Sequence, residues 1–155
     1  MAERDKTMPV SDDTDELMDA DRQAAQFERV RTAQQTEKAE DYVEMIDDLI
    51  NAYGEARVTD LAQRFGVSHA TVNKIVKRLQ RDGLVTSRPY RSIFLTEQGS
   101  ALADASRKRH QIVLNFLRAI GVSARNAELD AEGIEHYVSA ETLAAFEKIT
   151  SEKDG

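Results

Sequence analysis

The chain is 155 residues long and 41% hydrophobic, enough for one compact domain or two small ones around a buried core. It has no cysteine, which excludes disulfides and thiolate-held metals, and no apolar run long enough to span a bilayer. The net charge of −7 argues against a nucleic-acid partner only as an average, because the charge is segregated along the chain.

Residues 1–56 carry 6 basic and 16 acidic side chains, residues 57–92 carry 8 basic against 2 acidic, and residues 93–155 carry 7 against 10. A basic block between acidic flanks is the pattern of a DNA-reading module set inside an acidic protein. The polar, acidic N-terminus has no signal-peptide character, and a cytoplasmic protein is expected.

In chain order, residues 1–35 are poor in apolar side chains and form an acidic extension expected to be disordered or loosely helical. A helix is predicted from Thr36 to Tyr53, since Tyr42, Ile46, Leu49, Ile50 and Tyr53 recur at helical spacing and Gly54 stands where a helix ends. Thr59 is expected to cap a short helix carrying Leu61, Ala62 and Phe65, which Gly66 breaks. Ser68 then caps a second helix whose Val72, Ile75, Val76 and Leu79 face inward.

Residues 84–96, LVTSRPYRSIFLT, read as two short strands around a turn at Pro89–Tyr90. Thr96 caps a long helix to about Ile120, with Gly121 as its stop. Ser123 opens a helix expected to run through DAEGIEHYVS, and Ser139 caps the last one, carrying Leu143, Phe146 and Ile149.

The short helix, glycine turn, second helix and basic hairpin make a winged helix-turn-helix. Its second helix offers His69, Thr71, Asn73 and Lys74 to base edges in the major groove. Ser68, Lys77 and Arg78, with Arg88, Tyr90 and Arg91 of the wing, are placed for phosphates or the neighbouring minor groove.

Three further patterns combine acids with imidazoles. Asp41 and Glu44 stand at i, i+3 on the first helix; His110 borders the apolar stripe of the long helix; Glu132, Glu135 and His136 share one face of the next. Spacing alone leaves each open as solvated surface or packing residue, and does not establish that the three helices meet.

Together, the DYVEMIDDLI helix, the winged helix, RHQIVLNFLRAIGV and DAEGIEHYVS resemble the manganese transport regulators, a branch of the diphtheria-toxin-repressor family, over about residues 36–150. The resemblance implies a mainly α protein: a winged-helix DNA-binding domain over 36–96, with a small β-hairpin wing, and an all-helical metal-binding and dimerisation domain over 97–155. It implies Asp41, Glu44, His110, Glu132, Glu135 and His136 as metal ligands, a homodimer on a palindromic operator, and repression of manganese uptake genes.

Four carboxylates and two neutral imidazoles would balance two divalent cations, and an oxygen and nitrogen set without sulfur suits Mn²⁺, up to two ions per subunit. Iron-responsive relatives carry Met at the Asp41 position and Cys at the Glu135 position, and this chain has neither. Where many relatives have a second histidine after E-x-x-E-H, it has Tyr137.

The alternative reading is a winged-helix regulator answering another divalent metal or a small organic ligand. A catalytic metal site would need a nucleophile constellation or a substrate domain, neither of which accompanies the cluster, and no enzymatic role is expected. A metal buffer would not need the basic reading head.

Overall fold

The computed structural model describes residues 17–88 and 91–155. Six helices and one short hairpin follow in chain order: α1 (Ala20–Tyr53), α2 (Val58–Phe65), α3 (His69–Arg81), β1 (Val85–Thr86), β2 (Phe94–Leu95), α4 (Glu97–Ala119), α5 (Ala124–Ile134) and α6 (Ala140–Asp154).

The first helix starts sixteen residues earlier than the expected Thr36. Asp19 caps it, accepting from the Arg22 N–H at 3.3 Å, and the added turns are rich in Ala, Gln and Arg, all good helix formers. Residues 17–32 are exposed throughout, so local propensity rather than a packed face holds that half. Residues 1–16 of the expected extension lie outside the described residues, as does the Pro89–Tyr90 turn with its proposed contact Tyr90.

Two cores organise the chain. Tyr42, Ile46 and Leu49 of α1 pack with Leu61 and Ala62 of α2, with Val72, Val76 and Leu79 of α3, and with Val85 and Ile93 of the hairpin. This makes the second half of α1 part of the reading head. Val113 and Leu117 of α4 pack with Ala127 and Ala131 of α5, and Phe116 stacks on Phe146 of α6 at 3.9 Å between ring centroids. The strands pair antiparallel, Val85 opposite Leu95 and Thr86 opposite Phe94, and an Ala56–Ile93 bridge ties the hairpin base to the approach of α2.

Four helices begin on the side chains the sequence marks out. Ser68, Thr96, Ser123 and Ser139 accept from the N–H of Thr71, Gly99, Asn126 and Thr142 at 3.1–3.3 Å. The exception is α2: it starts after Arg57, not Thr59, because the Asp60 carboxylate reaches back to the Arg57 N–H at 3.2 Å.

Gly99 is buried where α4 crosses the end of β1, and a Cβ there would lie 2.0 Å from the Leu84 carbonyl oxygen. Backbone cannot yield as a side-chain tip does. Gly99→Ala is therefore expected to destabilise by about 1–3 kcal/mol, in the range of other overpacked sites, read as a lowered midpoint in urea. An unchanged midpoint would contradict this packing.

Candidate metal centre and nucleic-acid interface

The segment holding Glu132, Glu135 and His136 is not one helical face, contrary to expectation. Helix α5 ends at Ile134. Glu135 is its C-cap, its N–H still bonded to Ala131, and a Tyr137 N–H to Ile134 bond tightens the turn that follows. The chain leaves the helix there because His136 turns towards α1, where its Nδ1 meets Glu40 Oε2 at 2.7 Å.

This turn separates the expected ligands into two groups joined by one carboxylate. In the first, His110 Nδ1 of α4 lies 3.2 Å from Glu135 Oε2 and 3.5 Å from Glu132 Oε1. In the second, His136 Nε2 lies 3.4 Å from Asp41 Oδ1 and 3.4 Å from Glu135 Oε1. Glu135, only 2% exposed, thus directs one oxygen to each histidine. The groups with ligand-compatible geometry are His110–Glu132–Glu135 and Glu37–Asp41–His136.

Glu44 belongs to neither group, although it lies close enough for Glu132 and Asp41 to act on its charge. Burial raises its carboxyl above the ordinary range.

The electrostatics are those of a site short of positive charge. Burial pushes the Glu135 carboxyl up to about 7 despite the nearby imidazoles. His136 is pushed the other way: burial opposes its charge, but hydrogen bonds to Asp41 and Glu40 carry it up to about 10. Buried Glu135 Oε2, Glu44 Oε1 and His110 Nδ1 have no hydrogen-bond partner. Acceptors crowded together without donors are what a cation would satisfy, and the donor set of carboxylates and imidazoles fits a hard to borderline divalent ion.

Four residues around the centre were not singled out in the sequence. Buried Glu40 forms an ion pair with the partly exposed Arg109 behind His136. Glu128 meets His110 Nε2 at 3.0 Å. Glu37 accepts from the Tyr137 hydroxyl, so Tyr137 holds a carboxylate beside Asp41. The charges themselves were visible, but nothing in their spacing marked them as partners of particular histidines.

The basic face lies on the reading head. Ser68, His69, Thr71, Asn73, Lys74 and Lys77 are all exposed along α3. His69, Asn73 and Lys77 join Arg88 and Arg91 of the wing around a cleft of about 800 Å³. Arg57 and Thr59, also lining it, extend this surface to the start of α2. The Thr71 hydroxyl is already bonded to the Ser68 cap at 2.9 Å. Arg78, expected at a phosphate, donates one N–H to the Gln35 carbonyl of α1 at 3.1 Å, because it borders the side of α3 that faces that helix.

Comparison with known proteins finds two matching domains. Residues 34–93 match the iron dependent repressor N-terminal DNA binding domain, and residues 96–152 match the iron dependent repressor metal binding and dimerisation domain. The transcriptional regulator MntR of Escherichia coli O6:H1 (strain CFT073) is 49% identical over 142 residues, 92% of either chain. MntR of Salmonella typhimurium (strain LT2) is 47% identical over 144 residues, 93% of this chain and 92% of that one. Among solved structures, the manganese regulator SloR is similar at 26% identity with a TM-score of 0.63 over 73% of this chain. The match spans about half of that longer protein, 53% of its chain.

Proposed function

The chain belongs to the iron dependent repressor family, and from that membership we propose that it is a manganese-responsive, DNA-binding transcriptional regulator that represses manganese uptake genes when Mn²⁺ is bound. The observation that carries the proposal is the pair of histidine–carboxylate groups meeting at Glu135, between the helix that enters the reading head and the helices that follow it.

Asp41, Glu44, His110, Glu132, Glu135 and His136 would hold Mn²⁺, two ions per subunit on the charge balance of four carboxylates. When bound, the cations supply positive charge that cancels the repulsion among these carboxylates. The chain's own contribution is mechanical. Asp41 and Glu44 lie on the α1 segment that shares its core with α2 and α3, whereas the other four lie on α4 and on α5 with its turn. Arg107 of α4 already reaches Asp47 and Asp48 of α1 at 2.6 and 2.8 Å, so the junction is partly built before metal arrives. Tightening it restricts the orientation of the reading head relative to the helical core, and an effector need only favour the binding-competent arrangement.

In a homodimer that restriction sets the distance between two heads, which suits a palindromic operator with half-sites about 34–36 Å apart. Helix α6 buries none of its residues within the single chain, which leaves a face available to a second copy. His69, Asn73, Lys74 and Lys77 would meet bases and phosphates, with Arg88 and Arg91 alongside. The described residues contain no helix long and apolar enough to cross a membrane.

The test is fluorescence anisotropy on DNA from upstream of manganese transporter genes, at fixed salt, with chelator and then with Mn²⁺. Binding is expected to tighten at least about tenfold with Mn²⁺, the size of an ordinary allosteric coupling, and the gain should vanish in His136→Ala. Equal binding to a specific site with chelator and with Mn²⁺ would reject the proposal.

A further inference from the structure

Immediately before the expected ligand Asp41 stands a carboxylate that cannot itself be a ligand. Glu40 is 2% exposed, and both its oxygens are taken, Oε1 by the Arg109 guanidinium and Oε2 by His136 Nδ1 at 2.7 Å. An imidazole held at one nitrogen offers only the other. For His136 that is Nε2, the atom 3.4 Å from both Asp41 Oδ1 and Glu135 Oε1.

We propose that Glu40, clamped by Arg109, is the positioning residue of the metal centre: it holds the His136 ring by Nδ1 and so aims Nε2 at the cation. The inference rests on the reading of this cluster as a cation site. Metal-bound histidines commonly give their second nitrogen to a carboxylate, which fixes ring orientation and tautomer.

His110 repeats the arrangement in mirror order. Its Nε2 is on Glu128 at 3.0 Å and its Nδ1 faces Glu132 and Glu135. The two orienting acids differ in one respect that grades their effects. The Glu128 side chain is 58% exposed, whereas Glu40 is sealed between α1, α4 and the turn after α5. A buried, doubly engaged carboxylate fixes a ring; an exposed one competes with water.

Arg109 is needed because Glu40 alone would be a buried, half-compensated charge. Arg109 engages Oε1 while His136 Nδ1 engages Oε2, so the buried carboxylate has a partner on each oxygen. The same three side chains join α1, α4 and the α5 turn, so the residue that aims the ligand also links the parts the metal would draw together.

The experiment uses the full chain with ¹⁵N-labelled histidine, loaded with ¹¹³Cd²⁺ as a diamagnetic probe, together with calorimetric Mn²⁺ titration. In the wild type the ¹¹³Cd–¹⁵N coupling of His136 should fall on Nε2, with the proton on Nδ1. Glu40→Gln should weaken Mn²⁺ binding about tenfold and Glu40→Leu/Arg109→Leu up to about 100-fold, the range for loss of outer partners, while Glu128→Gln changes it by no more than about threefold.

A purely structural pair would let the double leucine variant fold and bind Mn²⁺ as the wild type does, and that result would overturn the proposal. Coupling through Nδ1 in the wild type would also overturn it. Should the double variant fail to fold, Glu40→Gln with a native circular dichroism spectrum decides by the same criterion of weakened binding. His136→Ala separates the two levels. If it leaves Mn²⁺ affinity unchanged, the cation-site reading fails and this inference with it; if it weakens binding and Glu40→Gln does not, the inference alone fails.

Discussion

Replacing Glu135 by alanine should remove tight binding of both proposed cations at once, whereas Glu132→Ala should remove one. The asymmetry follows from position. Of the two histidines Glu132 meets His110, whereas Glu135 places Oε2 3.2 Å from His110 Nδ1 and Oε1 3.4 Å from His136 Nε2. We expect affinity to fall at least about 100-fold in Glu135→Ala, near 2.8 kcal/mol at 1.4 kcal/mol per tenfold, with calorimetric stoichiometry dropping from two sites to none.

The metal-free protein should not melt lower. Glu135 Oε2 is buried without a hydrogen-bond partner, so its removal relieves a desolvated group rather than breaking a satisfied contact. That stability readout distinguishes a lost ligand from a lost fold. Two ions still bound by Glu135→Ala would show that its carboxylate does not join the groups.

Much of this centre was legible because metal ligands must be particular residue types, and a chain with three histidines and no cysteine has few to offer. The reading head was legible for a different reason. Ser68 as a cap and Val72, Val76 and Leu79 at helical spacing are local patterns, and the structure buries all three apolar residues against α1 and α2. Long-range features were not legible. His136 leaves the helix because Glu40, 96 residues earlier, binds its ring, and no periodicity near residue 136 records that. Glu40 itself reads as one acid in a run of acids; only the fold places it in the interior. The Arg78 contact was hidden for the same reason, since its partner is a backbone carbonyl on a helix 43 residues away. The early start of α1 was only half legible: polar composition left residues 1–35 as disordered or loosely helical, and Ala, Gln and Arg from Ala20 onward favour helix without any buried face.

Mn²⁺ affinity should rise steeply with pH, because the atoms that would bind metal hold protons in its absence. Asp41 and Glu40 carry His136 up to about 10 against the cost of burial, and burial pushes Glu135 up to about 7. Both groups must lose their protons to act as ligands. The two groups face one another and lose their protons as a pair, so their separate factors do not multiply; from pH 6 to 8 affinity should increase at least about tenfold.

The folding linkage of the metal-free chain has the opposite sign. His136 has a folded value above its ordinary 6.5, so its contribution is complete below 6.5 and fades as pH rises towards about 10. Glu135 is likewise raised from 4.5, so the folded state holds a proton the unfolded chain would release, and stability falls as pH passes from about 5 through 7. Alkaline conditions therefore loosen the empty junction while favouring its metal-bound form, and the melting shift produced by Mn²⁺ should widen from pH 6 to pH 8. Calorimetry in buffers of different ionisation enthalpy would count the protons released, with between one and two expected near pH 7. A pH-independent affinity would mean that the cation does not displace these protons and that Glu135 and His136 lie outside its coordination. Proton release at both residues would instead place the metal where α1, α4 and the α5 turn converge, a position from which it can act on the reading head without touching DNA.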